Sequence, residues 1–126
     1  MRLKLSGVAV AIAALCAVPY AHAQKMTEQF IPIGQSPGLS QKYTSIGEIT
    51  QVNPQARTIT IADSAGPRTA KISTRTHIWL DRTKLKQPNV FGGFADLHKG
   101  RRVEVKYEDG ARREVAEWVK VEITQP

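Results

Sequence analysis

The chain has 126 residues, of which 18 are Lys or Arg and 11 are Asp or Glu, giving a formal net charge of +7. This length provides one small domain with a modest core. The only cysteine, Cys16, falls in a segment that we expect to be removed, which excludes disulfides and thiol chemistry from the mature chain.

The first 23 residues have the pattern of a secretory signal peptide. A positively charged start at 1–4 precedes an apolar run at 5–18, and residues 21–23 supply a small-x-small cleavage site. The apolar run of roughly 14 residues is shorter than the ~20 that a membrane-spanning helix needs. We therefore predict cleavage after Ala23 and a periplasmic location, with no transmembrane segment in the mature chain.

The mature chain, residues 24–126, would keep 16 basic and 11 acidic residues and a net charge of +5. A positive charge of this size favours contact with anionic surfaces such as phospholipid headgroups, lipopolysaccharide or acidic polymers. Ordinary solubility of a small domain accounts for the same charge, so both interpretations stay open at this point.

Residues 24–44 are predicted to form an extended arm, because Pro and Gly interrupt them too often for a helix or a long strand. The arm is either disordered or lies across the domain. Its apolar residues are Phe30, Ile31, Ile33 and Leu39. They indicate two alternatives: a plain tether, or a docking peptide over residues 30–39 for a partner or for a groove of the same domain.

From residue 45 onward the sequence predicts a β domain of five strands. Alternating or β-branched apolar residues mark strands at 46–52, 58–61, 68–80, 103–107 and 112–123. The first strand should be bulged or sharply bent near Gly47, and residues 96–100 should form a short helical turn. Because short strands leave exposed edges unless they close, we predict an all-β, OB-like barrel over 45–126, acting as a monomer.

The hairpin between the last two predicted strands has an expected register. A three-residue loop over 109–111 would place Val105 opposite Val115, whereas a two-residue turn would mix the two faces. We further expect a bulge near Glu117 that turns Trp118 inward.

The spacing of glycine and apolar positions resembles the DUF5666 group of exported bacterial domains. The similarity covers about residues 45–123 and rests on the patterns Gly47-x-Ile49-x-x-Val52, Thr58-Ile59-Thr60-Ile61, Thr76-x-Ile78, Asp96-Leu97-x-x-Gly100-x-x-Val103-x-Val105 and Ala116-x-x-Val119-x-Val121. The resemblance implies an OB-like small barrel of largely unassigned function. It involves no catalytic residues, and the arm lies outside it.

Sequence patterns for catalysis are missing from the mature chain. It has no cysteine, no Walker loop, no dinucleotide fingerprint and no Gly-x-Ser-x-Gly motif. The carboxylates of the last two predicted strands interleave with Lys and Arg, which is typical of a solvated face with cross-strand ion pairs. We therefore expect neither an enzyme nor a cofactor.

A metal site is an alternative that the sequence supports only weakly. The His77-x-Trp79 pattern places two side chains on one strand face, as in periplasmic copper-binding small barrels that use His, Met and Trp. Copper(I) prefers thioether or thiolate ligands, and the mature chain offers only Met26. A zinc site from His77 and His98 lacks further ligands, so no residue is predicted to bind metal.

The most distinctive surface is the polar face of the predicted third strand, with Lys71, Arg75, His77 and Trp79. Cations beside an aromatic ring can bind an anionic, ring-bearing ligand by charge and stacking. The alternative is that Trp79 packs under the long loop or under the arm, while Lys71 and Arg75 are merely solvated.

Together these features predict an exported, non-enzymatic binding module. It would contact an anionic envelope polymer or lipid headgroup through Lys71, Arg75, His77 and Trp79, and nucleic acid is not expected as a partner in the periplasm. The alternatives are a protein-interaction module that docks through residues 30–39 and a periplasmic copper-binding protein.

Overall fold

The computed structural model describes residues 27–126, so the predicted signal peptide, Cys16 and Met26 lie outside the described residues. Within that range no helix is long and apolar enough to cross a membrane. Apart from short helical turns, the regular secondary structure of residues 27–126 is strand.

Seven strands follow one another along the described part of the chain. They are β1 (Thr44–Asn53), β2 (Thr58–Asp63), β3 (Gly66–Lys71), β4 (His77–Asp81), β5 (Val90–Phe91), β6 (Arg102–Tyr107) and β7 (Ala116–Glu122). One 3₁₀ turn, Thr83–Leu85, lies between β4 and β5, and a second, Phe94–Asp96, lies between β5 and β6. The second turn begins two residues before the helical turn that the sequence predicts.

The strands form one mixed sheet in the order β3-β2-β1-β6-β7-β4-β5. Neighbouring strands are antiparallel except β4 and β7, which are parallel. This OB-like, all-β arrangement confirms the predicted fold class. The sheet has seven strands, however, not five, and it is not closed, because β3 and β5 form its two edges.

The predicted strand count is wrong because the long third strand is interrupted and because Val90 and Phe91, outside the five predicted strands, form β5. Residues 72–76 turn the chain, with the Ser73 N–H donating to Thr76 Oγ1 (2.9 Å) and the Thr76 N–H donating to Ser73 O (3.2 Å). Before this turn β3 pairs with β2, and after it β4 pairs with β7 and β5. The sequence pattern places residues 71, 75, 77 and 79 on one face of a single strand, and that prediction is wrong because the strand is broken.

The apolar core lies on one face of the sheet. Its fully buried side chains come from most of the long strands and include Ile49, Ile59, Ile61, Ala70, Ile72, Val103, Val105, Val119 and Val121. β1 can pass close to β2 only because residue 47 is glycine, since an added Cβ would overlap the carbonyl of Ala62. The bulge predicted in the first strand is present as a register shift between Ile49 and Gln51.

The loop between β6 and β7 is longer than predicted. Val105 lies opposite Val119 and not opposite Val115, so the predicted register is wrong. The predicted bulge is confirmed at Glu117, the residue that the register shift leaves unpaired. Asp109 stabilises the longer loop, because its carboxylate accepts backbone N–H groups of the residues that follow it.

The described part of the arm, residues 27–43, packs across the sheet. It consists of successive turns, and the extended conformation that its Pro and Gly content predicts is not observed. Ile33 and Ser36 are buried, at 6% and 3% exposure. The arm covers the outer face of the sheet, which is the side of β6, β7 and β4 that points away from the core. The turns are stabilised by buried carboxylates on that face.

Candidate functional site

Glu104, on β6, anchors the arm to the outer face. Its side chain is fully buried and accepts hydrogen bonds from the Gly34 N–H (3.0 Å), the Ser40 hydroxyl (2.7 Å) and the Thr44 hydroxyl (2.8 Å). A buried carboxylate is tolerated when such donors replace its hydration. Two of the three donors come from the arm, so the arm and this carboxylate hold each other in place.

Lys120, on β7, lies opposite Glu104 and is also fully buried. Its ammonium group donates to the Ser36 hydroxyl (3.1 Å) and lies 3.5 Å from a carboxylate oxygen of Glu28 and 4.6 Å from the Trp118 ring centroid. Burial lowers the pKa of Lys120, and the carboxylates of Glu28 and Glu104 oppose that shift. The ammonium group is therefore a structural link between arm and sheet.

Asp81 completes this interface at the end of β4. Its Oδ2 accepts the Ile33 N–H (3.0 Å), and its Oδ1 accepts the N–H (3.0 Å) and the hydroxyl (2.6 Å) of Thr83. The interface thus contains three carboxylates, those of Glu28, Asp81 and Glu104, but only one ammonium group, that of Lys120. The remaining surface is consequently more basic than the composition of the chain suggests.

The structure separates the four residues predicted to form one ligand-binding face. Lys71 is exposed at the end of β3, and Arg75 lies in the turn that follows, paired with Glu108 at 3.0 Å. His77 and Trp79 lie on β4 with their rings stacked, the centroids 6.2 Å apart. Because the third strand is interrupted, these side chains do not share one exposed face.

Trp79 is a buried ring and not a surface ring. It is 3% exposed, its centroid lies 5.6 Å from that of Trp118, and it pairs across the sheet with Phe91. Its Nε1–H makes no hydrogen bond within residues 27–126. A ligand cannot stack on this ring from solvent, and of the two alternatives predicted for Trp79 the structure shows the one in which the ring packs under the arm. The cause is the break in the strand, which places the ring on the face that the arm covers.

A polar cavity of about 300 Å³ lies where the β2–β3 turn, the β6–β7 loop and the end of the arm meet. Its polar lining residues are Gln41, Thr44, Asp63, Ser64, Arg68 and Arg113. We name this cavity the Arg68–Arg113 pocket.

Two guanidinium groups meet in the Arg68–Arg113 pocket. Arg68 Nε lies 3.3 Å from Asp63 Oδ2, so this cation is compensated. Arg113 donates to Lys42 O (3.0 Å) and to the Ser45 hydroxyl (3.5 Å), and it forms no ion pair with any described carboxylate. Bonds to neutral acceptors orient a guanidinium group without neutralising it. The pocket therefore carries a net positive charge.

Backbone strain marks the same pocket, and a buried hydroxyl lies near its charged groups. Gln41 and Arg113 have φ angles of 68° and 54°, which residues other than glycine rarely adopt. The buried Tyr107 hydroxyl has Ser45 beside it, and the charged groups near it are Arg68, Asp63 and Arg113. Burial raises the pKa of Tyr107, so the hydroxyl stays neutral and can donate or accept.

Sequence reasoning misses this pocket because its residues come from three separate segments of the chain. In the sequence, Arg113 belongs to a basic Arg112-Arg113 pair, a pattern that solubility explains, and Arg68 is one residue of a long strand. No periodicity or motif links the two arginines. They meet only because β1 pairs with both β2 and β6.

The described residues hold no group of three or more His, Cys, Asp or Glu side chains arranged to bind a metal ion. His77 is exposed on β4, and His98 is exposed in the segment before β6. The two histidines thus occupy separate elements with no third ligand between them.

No family model matches the chain, so the resemblance to the DUF5666 group stays a prediction, and no curated protein matches it. Two solved structures are similar. One is a tryptophan-to-alanine variant of CusF from Escherichia coli with Cu(II), 13% identical with a TM-score of 0.42, matched over 63% of this chain and 89% of that one. The other is CusF with Ag(I), also 13% identical with a TM-score of 0.42, matched over 62% of this chain and 93% of that one.

Proposed function

We propose that the chain is an exported, non-enzymatic binding module that holds an acidic envelope polymer at the Arg68–Arg113 pocket. The observation that carries this proposal is that two guanidinium groups converge on a polar cavity lined by a single carboxylate. A cleft lined mainly by one sign of charge concentrates ligands of the opposite sign. Export through the predicted signal peptide would bring the pocket to the acidic polymers of the envelope.

The neutral lining of the pocket favours a ligand rich in hydroxyl groups. Gln41, Thr44 and Ser64 supply amide and hydroxyl groups that both donate and accept hydrogen bonds. No aromatic ring is among the lining residues, so stacking contributes nothing to binding there. An acidic polysaccharide provides both the anion and the hydroxyl groups.

The two alternatives predicted from the sequence receive less support. A protein partner that docks on residues 30–39 would have to displace them, since Ile33 and Ser36 are buried against the sheet of the same chain. For the copper alternative, residues 27–126 offer no group of three or more His, Cys, Asp or Glu side chains. Neither alternative is therefore part of the proposal.

The test is a calorimetric titration of residues 24–126 with polygalacturonate at low and at high salt. Affinity should fall as salt increases, because exposed charges are screened. Replacing Arg113 by Gln should weaken binding roughly tenfold, since a hydrogen bond to a charged group contributes about 1.5 kcal/mol.

Arg57→Gln is the matched control for this titration. Arg57 also has a positive φ, 55°, and also bonds a backbone carbonyl, that of Ile72 at 3.1 Å, but it lies in the β1–β2 turn and does not line the pocket. The control should bind polygalacturonate as the wild type does. Binding that ignores salt, or an equal loss in both variants, would show that the pocket does not hold the polymer.

A further inference from the structure

A second cavity, of about 380 Å³, lies at the other end of β6. Arg101 precedes β6 and lines this cavity, whereas Arg113 follows β6 and lines the pocket described above. Its lining includes three apolar and three charged residues: Leu80, Leu85, Ile123, Arg82, Arg101 and Asp96. We name the cavity the Arg82–Arg101 pocket. Its volume is within the range of about 300–1,000 Å³ that is usual for small-molecule sites.

The floor of the Arg82–Arg101 pocket is apolar. Leu80 and Ile123 pack against the edge of the core but stay partly exposed, and Leu85, from the 3₁₀ turn Thr83–Leu85, is also half-buried. These three side chains form apolar surface that the chain itself leaves uncovered at the cavity. Apolar groups of a ligand would gain free energy by covering that surface.

Both arginines of this pocket are held in place without being neutralised. Arg82 Nε donates to Pro88 O (2.7 Å), and Arg101 Nη1 donates to the backbone carbonyl of Asp96 (2.8 Å). Neither guanidinium group forms an ion pair with a carboxylate of residues 27–126. Each arginine has five N–H donors, so several donors on each side chain are left for a ligand.

Asp96 is the third charged residue of the pocket and opposes an anionic ligand. Its Oδ2 accepts the Gly93 N–H (2.8 Å), which fixes the carboxylate at the 3₁₀ turn Phe94–Asp96. An added Cβ at Gly92 would lie 2.6 Å from Leu80 and 2.8 Å from this carboxylate, so a larger residue there would have to displace one of these two side chains. Two fixed cations against one fixed anion leave a net positive charge beside the apolar floor.

From this combination we infer that the Arg82–Arg101 pocket binds a single anionic headgroup on an alkyl chain, with the headgroup on the two arginines and the chain on the leucines and Ile123. A carboxylate and a phosphate monoester share this chemistry. The inference does not rest on the proposed function, because it uses other residues at the other end of β6.

The experiment titrates the mature chain with decanoate, decyl phosphate, acetate and decanol, and follows binding by calorimetry and by backbone amide NMR shifts. Decanoate or decyl phosphate should bind, and the shifts should concentrate at residues 82–85, 101 and 123. Acetate lacks the chain and decanol lacks the charge, so each should bind at least about tenfold more weakly. Tighter binding of decyl phosphate than of decanoate would assign the headgroup to a phosphate, and the reverse order to a carboxylate.

Three variants separate ligand binding from folding. Arg82→Gln should reduce the affinity for decanoate about tenfold. Asp96→Asn keeps an oxygen that can accept the Gly93 N–H but removes the opposing charge, so it should bind decanoate more tightly than the wild type. Arg113→Gln, in the other pocket, should leave decanoate binding unchanged even where it weakens polygalacturonate binding.

Two outcomes would overturn the inference. One is equal binding of acetate and decanoate, which would mean that the apolar floor does not contribute. The other is NMR shifts at residues away from the pocket, with Asp96→Asn binding no better than the wild type. A chain-length series from octanoate to dodecanoate needs no variant to fold, and its affinity should rise by up to about fourfold per methylene.

Discussion

The carboxylate of Asp63 stabilises the β2–β3 turn, lines the Arg68–Arg113 pocket and should make the free energy of unfolding depend on pH. It accepts the Ala65 N–H (3.2 Å) and the Ser64 hydroxyl (3.1 Å) and pairs with Arg68. Burial alone would raise the pKa of Asp63, but these hydrogen bonds outweigh it and hold the pKa below 3.8. A carboxyl group with a lowered pKa stabilises the folded state only while it is ionised.

Replacing Asp63 by Asn should therefore have an effect that depends on pH. The wild type should exceed the variant by about 1–2 kcal/mol in the free energy of unfolding at neutral pH. Since the pKa in the folded state is lowered, this advantage is complete above pH 3.8 and is lost as the pH falls through the folded-state pKa. Urea unfolding at several pH values measures it, and a difference that stays constant down to the lowest pH would contradict this account.

At the scale of elements, the arm behaves as part of the domain. Ile33 is 6% exposed, whereas Phe30, three residues earlier, is 60% exposed. The two residues form a matched pair, because both are large and apolar and lie in the same segment.

Ile33→Ala should lower the free energy of unfolding by about 2–4 kcal/mol, because it removes buried methyl groups and leaves a cavity. Phe30→Ala should change it by less than about 0.5 kcal/mol, as is usual for exposed positions. Urea denaturation of the two variants gives both values. Equal, small effects would mean that the arm does not contribute to stability.

The elements that the sequence predicts well are those whose burial follows a local pattern. Buried apolar residues occupy every second position in β2, at Ile59 and Ile61, and in β7, at Val119 and Val121. This two-residue repeat is enough to predict both strands. The break at 72–76 is hidden because Thr74 and Thr76 continue the alternation and threonine is common in strands. The Arg68–Arg113 pocket forms only because β1 pairs with β2 and β6, and no local sequence pattern predicts that pairing.

For the whole molecule, the distribution of charge couples the arm to the sheet. Glu104 and Lys120 are fully buried, and both take hydrogen-bond partners from the arm. Detaching the arm alone would remove the Gly34 and Ser40 donors of Glu104 and the Ser36 and Glu28 contacts of Lys120, and it would expose the buried Ile33 side chain to water. The arm and the sheet should therefore unfold together.

This coupling predicts coincident unfolding transitions. Trp79 and Trp118 lie on the face that the arm covers, so tryptophan fluorescence reports on the arm, while far-UV circular dichroism reports on the sheet. Both signals should have the same midpoint in urea, as two-state unfolding requires. A fluorescence change at lower urea than the dichroism change would show that the arm detaches as a separate unit.

The arm's partners also determine when it can fold during synthesis. Gly34 bonds a side chain 70 positions later, and Ser36 and Glu28 bond a side chain 84 and 92 positions later. A growing chain emerges from the ribosome with its N-terminal end first, so the arm lacks its partners on β6 and β7 until those strands have been made. A nascent chain that stops before β7 lacks Lys120, so Ser36 and Glu28 are left without that partner and stay more accessible to chaperones and proteases. Only a chain that includes β7 can form every contact described between the arm and the sheet.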